Sequence, residues 1–245
     1  MSKGRSYDKE FKIEAVRLVV EEGRKASERE ISMENRQTNT WFSEFGKNYT
    51  DRCKKTPDQY DELYTSLYGI TRTKLNEEFI GDIDRSARIL EVGTNVGGQL
   101  KLLFRMGFRN LYGIELQLYP IKISQSKYYG ISLLQGSGFD IPFKDNAFDI
   151  VFTTGVLIHI DPDLLPLVLK EIYRCTKRYI WGFEYYNKNM LEIPYRGKNK
   201  MLWKADYVAI YQDYFPDLNM IKKKNYMYLE NDNNDCMFLL EKQNG

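Results

Sequence analysis

The stretch that most restricts what this chain can become is Ile89-Leu90-Glu91-Val92-Gly93-Thr94-Asn95-Val96-Gly97-Gly98, continuing through Gln99-Leu100-Lys101-Leu102-Leu103. An apolar run ends in an acidic residue, passes a turn rich in Gly and Asn, and resumes with apolar residues at Leu100, Leu103 and Phe104, which is helical spacing. A strand, a tight turn and a helix follow from that pattern. Gly93 and Gly97 let the backbone approach a ligand, and Asn95 is one of the few other residues that tolerate a left-handed conformation. The turn therefore reads as a ligand cradle.

A second short strand, Leu111 to Glu115, places a carboxylate roughly 20 residues beyond the loop, where nucleotide-binding units hold a ribose. A dinucleotide fits this much of the pattern. Glu91 weighs against it, because a charge at the strand end would repel a pyrophosphate and suit a cationic amino group.

Past Glu115 the chain alternates in a βα rhythm. A helix is expected from Pro120 to Tyr129 and a third strand from Ile131 to Gln135. The fourth strand runs from Phe148 to Thr154, exits through Gly155-Val156-Leu157-Ile158-His159, and leads to a helix from Leu164 to Arg174. A fifth strand from Arg178 delivers Glu184-Tyr185-Tyr186 to the same edge, followed by Glu192-Ile193-Pro194-Tyr195-Arg196-Gly197. The last strands are expected at Asn225 to Leu229 and Cys236 to Glu241, joined as a hairpin. Ahead of the loop, Thr40 to Arg52 is rich in aromatics, and Pro57 to Phe79 reads as one helical stretch.

With 245 residues and a formal charge of +2, the chain suits one α/β domain with a small appendage and lacks the dense basic footprint of a nucleic-acid binder. Lys222-Lys223-Lys224 reads as a solvated strand entrance. Cys53, Cys175 and Cys236 have neither disulfide nor metal-ligand spacing, which fits a reducing cytoplasm and no metal. No segment has the roughly 18 to 20 apolar residues of a membrane span.

The Glu-x-Gly-x-x-x-Gly turn with its following acid resembles the class I S-adenosylmethionine (SAM) methyltransferases. That resemblance implies a Rossmann-like fold: a seven-stranded, mostly parallel sheet with a C-terminal antiparallel hairpin and N-terminal helices over the cofactor. It implies that SAM is held by Glu91, Gly93, Thr94, Asn95, Gly97, Glu115 and Leu116, by Asp140 and Ile141 at the adenine, and by Thr154 and Gly155. From about Trp41 to Lys242 the chain is similar to the pseudaminic acid biosynthesis-associated methylases, on Trp41-Phe42-Ser43-Glu44-Phe45-Gly46, Gly155 to Ile160, Arg178-Tyr179-Ile180, Glu184 to Asn187, Glu192 to Gly197 and Phe238 to Lys242. It departs from them at Lys188-Asn189-Met190.

The expected activity is methyl transfer to a small polar acceptor, a sugar acid or nucleotide-linked sugar. His159, the single histidine, is the expected base, with Glu184 and Tyr185 beside it and Trp41, Tyr49, Tyr186, Tyr195 and Arg196 holding the acceptor. Two other readings stand: a nicotinamide-dependent oxidoreductase and a catalytically idle SAM-binding protein. Residues 1–30 resemble the opening helix of an insertion-sequence transposase helix-turn-helix, but stop short of a recognition helix. Residues 1–32 are therefore expected to be a dispensable leader, 33–86 a lid, and 87–245 the Rossmann-like core.

Overall fold

The computed structural model describes residues 36–124 and 130–243. The expected leader, Met33 and the end of the helix expected to reach Tyr129 lie outside them. Among the described residues four helices precede the sheet: α1 Arg36–Phe42, α2 Glu44–Arg52, α3 Pro57–Tyr68 and α4 Arg72–Ile80. The single helix expected from Pro57 to Phe79 is broken, and local chemistry accounts for the break. Thr56 and Gln59 form a reciprocal capping box with Pro57 at the first turn, and Gly69 ends α3 at φ +73°. Thr71 then accepts from the Lys74 N–H and starts α4 afresh.

The sheet follows as β1 Arg88–Val92, α5 Gly98–Arg105, β2 Asn110–Glu115, α6 Leu118–Ser124, β3 Ile131–Gln135, β4 Phe148–Thr154, α7 Leu165–Cys175 and β5 Thr176–Tyr185. A small ribbon, β6 Leu191–Glu192 with β7 Trp203–Lys204, and α8 Tyr207–Tyr214 come before β8 Leu218–Met227 and β9 Asn234–Lys242. The strand order is β3-β2-β1-β4-β5-β9-β8, parallel through β5, with β9 antiparallel to β5 and β8 antiparallel to β9. This is the Rossmann-like methyltransferase plan expected from the sequence.

Alternation along each strand splits the core between the two faces. Leu90, Val151, Ile180, Phe238 and Leu240 pack under α7 and α8, while Ile89, Ile150, Phe152, Trp181, Met237 and Leu239 pack under α4 and α5. Both faces being covered explains why the inner strands read as continuous apolar runs.

β8 begins seven residues before the expected Asn225, because an edge strand with one solvated face carries little apolar signal. Its lysines are inside the strand rather than at its entrance: Lys223 reaches Asp206 and Lys224 reaches Glu78. Charged side chains along an edge discourage pairing with another chain. Among the described residues no helix is long and apolar enough to cross a membrane.

Candidate functional site

A cavity of about 420 Å3 opens at the carboxyl ends of β1, β2, β4 and β5, beneath α1 to α3. The turn after β1 shapes one side. Gly93, Asn95 and Gly97 have φ of +74°, +49° and +71°, so Asn95 does occupy the left-handed position. The N–H groups of Gly93 and Thr94 both donate to the Ile114 carbonyl, at 2.9 and 3.0 Å, which binds the turn to β2. Glu115 accepts from the Asn95 N–H at 2.9 Å and the Gln117 N–H at 3.0 Å, holding the turn and its own carboxylate in one geometry.

Three acceptors converge on this side. Glu91 is buried and takes the Thr94 hydroxyl at 2.6 Å. Burial lifts its carboxyl to about 8, with Glu115 adding to the rise and the Thr94 bond and the Arg72 charge opposing it. Burial also raises Glu115. Gln99 lines the cavity with a buried Oε1 that has no protein partner. An unpaired buried acceptor beside two carboxyls suits a ligand that donates hydrogen bonds and carries positive charge. A methionine-type ammonium and ribose hydroxyls have that chemistry, so the residues fit SAM.

Residues of α1 and α2 cover the site from above. Thr50 of α2 accepts from the Asn95 side chain at 3.2 Å, and Gln37 of α1 accepts from the Asp161 N–H at 2.8 Å. Trp41 and Tyr49 both line the cavity, their rings 5.3 Å apart. His159 ends a short 3₁₀ turn, Leu157–His159, after β4 and also lines the cavity. Its ring lies 5.0 Å from Trp41 and 5.0 Å from Tyr195, and its Nδ1 is 2.6 Å from the Met201 carbonyl. A carbonyl only accepts, so Nδ1 carries the proton and Nε2 the lone pair. Burial pushes the imidazole down to about 4, with the Met201 bond opposing, so the ring is neutral at pH 7.

Of the residues singled out in the sequence, Glu91, Gly93, Thr94, Asn95, Glu115, Leu116, Thr154, Gly155, Trp41, Tyr49, His159 and Tyr185 line this one cavity. Gly97 sets the entry of α5 just behind the turn. Others stand elsewhere. Glu184 is turned away from the cavity, its oxygens accepting from the N–H groups of Val156 at 3.2 Å and Ile158 at 3.4 Å, so it braces the His159 turn. Burial lifts its carboxyl to about 7 while those N–H groups and Thr153 oppose.

Ile141 is in the core, its N–H on Glu171, and Asp140 closes a turn onto the Ser137 carbonyl; Gly136 to Phe139 form the wall there instead. Tyr195 packs on His159 from outside, Tyr186 lies under Lys223, and Arg196 is exposed over the Tyr195 ring.

Several lining residues escaped the sequence reading. Tyr60, Tyr64 and Tyr68 recur every fourth residue along α3, a stripe that reads equally as core. Asp235 fell within the expected hairpin turn, and only its pairing opposite Tyr185 carries it to the cavity.

Comparison with known proteins bears on this architecture. Residues 90–179 match the methyltransferase domain family. The chain is 30% identical over 123 residues to a probable phthiotriol/phenolphthiotriol dimycocerosates methyltransferase 2 of Mycobacterium ulcerans, covering 49% of this chain and 44% of that protein. It is 30% identical over 114 residues to 24-methylenesterol C-methyltransferase 2 of Arabidopsis thaliana, covering 43% and 31%. The chain thus spans less than half the length of the curated relatives it matches.

Among solved structures, the Burkholderia thailandensis 1,6-didemethyltoxoflavin-N1-methyltransferase with bound 1,6-didemethyltoxoflavin and S-adenosylhomocysteine (SAH) superposes with a TM-score of 0.61 at 12% identity, covering 82% of this chain and 90% of that one. The [4+2]-cyclase SpnF superposes with a TM-score of 0.59 at 12% identity, covering 78% and 97%. The segment that matches the methyltransferase domain family, 90–179, supplies most of β1, all of β2 and β4, and the glycine turn to the cavity.

Proposed function

We propose that the chain is a SAM-dependent methyltransferase acting on a small-molecule acceptor that enters beneath α1 to α3. The observation that carries this reading is the convergence of Glu91, Gln99 and Glu115 on a turn held open by positive φ. SAM supplies a methyl group already activated on a sulfonium. The protein's part is to align the acceptor with it, exclude water and receive a proton, which alignment and one neutral base accomplish. The lid of Trp41 and Tyr49 supports exclusion of water, and His159 Nε2 supports proton acceptance.

The resemblance to pseudaminic acid-associated methylases supports a surface sugar as the acceptor. Arg196, expected to hold the acceptor, lies outside the cavity, although its charge reaches the lining residue Cys53. A sugar acid would therefore present its hydroxyl end inward and keep its carboxylate at the mouth.

Calorimetry with SAH and with NAD tests the reading. SAH is expected to bind and NAD is not; the reverse would restore the nicotinamide-dependent oxidoreductase. A SAM-binding protein that transfers no methyl group is the second reading, since the same fold also occurs in a [4+2]-cyclase, SpnF. Methyl-labelled SAM mixed with a small-molecule extract separates the two, since an idle protein leaves no label on any acceptor.

Two further results are expected here. Glu91 holds its proton below about pH 8 and must release it to meet an ammonium. Affinity for SAM should therefore rise as pH climbs from 6 towards 8, by about tenfold or more, with proton release visible in buffers of different ionisation enthalpy. Glu91→Gln should flatten that rise. Glu115→Gln keeps the size of the side chain but removes its charge, and should weaken SAH binding by about tenfold.

A further inference from the structure

The cavity extends past the methyl-donor side to a chamber over the ends of β5 and β9 that none of the assignments above explains. Its walls are aromatic. Tyr68 lies 5.4 Å from Tyr64, 5.8 Å from Phe183 and 4.9 Å from Tyr228, ring centre to ring centre, and Tyr185 closes the side. At its end is Asp235, which pairs opposite Tyr185 in the sheet and is 3% exposed.

The Tyr68 hydroxyl donates to Asp235 Oδ2, the Asn233 amide approaches Oδ1 at 3.5 Å, and Tyr228 stands beside the carboxylate. An ionised carboxylate offers about four acceptor sites, so at least one is left for a ligand. Burial raises the carboxyl to about 6, with Tyr68, Lys204 and Arg72 opposing, which leaves it charged at pH 7.

Both of those cations stand behind the wall. Arg72 is wholly buried, its guanidinium 4.7 Å from the Phe183 ring and bonded to Tyr64 and Thr154. Lys204 donates to Asn233 and lies 5.6 Å from the Tyr185 ring. Of the described residues lining the whole cavity, Lys55 alone is cationic, and Glu91, Glu115 and Asp235 are the acids. A group entering the chamber therefore meets aromatic faces and a carboxylate with a free acceptor position.

We propose that this chamber is the acceptor subsite and that Asp235 makes it select a group that donates hydrogen bonds, a hydroxyl or an amine on an apolar or ring-shaped body, and reject an anionic one. The proposal rests on the methyltransferase reading for calling the ligand an acceptor. An anion there would face the carboxylate at short range in a poorly hydrated space, where repulsion is worth far more than in water. A hydroxyl or ammonium fills a free acceptor position, and an ammonium gains further from the ring faces.

Three probes of one ring and differing charge test this: benzyl alcohol, benzylamine and benzoate, titrated by NMR into the protein saturated with SAH. The alcohol and the amine are expected to bind at least tenfold more tightly than benzoate. Asp235→Asn should shrink the amine-to-benzoate ratio at least tenfold with SAH affinity within twofold, whereas Tyr68→Phe, which keeps the charge, should preserve the ratio. Benzoate binding as tightly as the alcohol, an Asp235→Asn ratio unchanged from wild type, or no binding by any probe would each overturn the proposal. Should Asp235→Asn fail to fold, the wild-type ratio and Tyr68→Phe still decide. A protein that binds no SAH loses the methyltransferase reading instead, and the same series without SAH still measures the chamber's preference.

Discussion

Gly93→Val is expected to weaken SAH binding at least a hundredfold while the protein remains folded. A Cβ built at Gly93 would stand 2.7 Å from Val156 Cγ2, closer than side chains tolerate, and a tight 3.1 Å from Cγ1. The residue sits at φ +74°, where any side chain costs about 1 to 2 kcal/mol and a β-branched one more. Relief would come from moving either the turn or the exit of β4, and both border the cavity. A hundredfold loss is about 2.8 kcal/mol, within reach of the conformational cost plus a displaced wall. Gly93→Ala shares the backbone cost and the first contact, so an intermediate loss is expected. Circular dichroism and a melting curve establish that the fold survives, and a dissociation constant within threefold of wild type would remove the turn from the binding site.

That turn was legible in the sequence because its constraints are local. Glycine and asparagine at fixed offsets between an apolar run and a helical repeat specify positive φ whatever the rest of the chain does. The parallel strands were legible for a related reason, since burial on both faces leaves uninterrupted apolar runs such as Ile89-Leu90 and Ile150-Val151-Phe152. Features set by distant partners were not. Nothing near Glu184 announces that its carboxylate would cap the N–H groups of Val156 and Ile158 across the neighbouring strand. Asp235 looks like one more turn residue until β9 is aligned with β5. The start of β8 was hidden because its exposed lysines dilute the alternation. Asp140 and Ile141 show the same limit from the other direction, for a short motif fixed where the chain passes but not which of its residues faces the cavity.

His159→Ala should lower the turnover of methyl-labelled SAM about a hundredfold, within the range for loss of a positioned base, and leave SAH affinity within twofold. The expectation rests on tautomer and burial together. The Met201 carbonyl at 2.6 Å fixes the proton on Nδ1, which frees Nε2 to accept on a ring that lines the cavity between Trp41 and Tyr195. An imidazole pushed down to about 4 is a weak base and would not ionise a resting alcohol. It does not need to. As an acceptor hydroxyl oxygen bonds to the methyl carbon and the carbon–sulfur bond breaks, that oxygen becomes positively charged and strongly acidic, and a neutral imidazole nitrogen in hydrogen-bond reach suffices to take its proton. The low value also sets the pH dependence: this group stays in its active neutral form until pH falls towards 4, whereas an exposed histidine would lose it near 6.5. His159→Gln can keep a hydrogen bond to Met201 but has no basic nitrogen, so it should be as slow as His159→Ala. If His159→Gln turned over at the wild-type rate, the ring would be a spacer between Trp41 and Tyr195, and proton removal would fall to solvent or to Tyr185 at the end of β5.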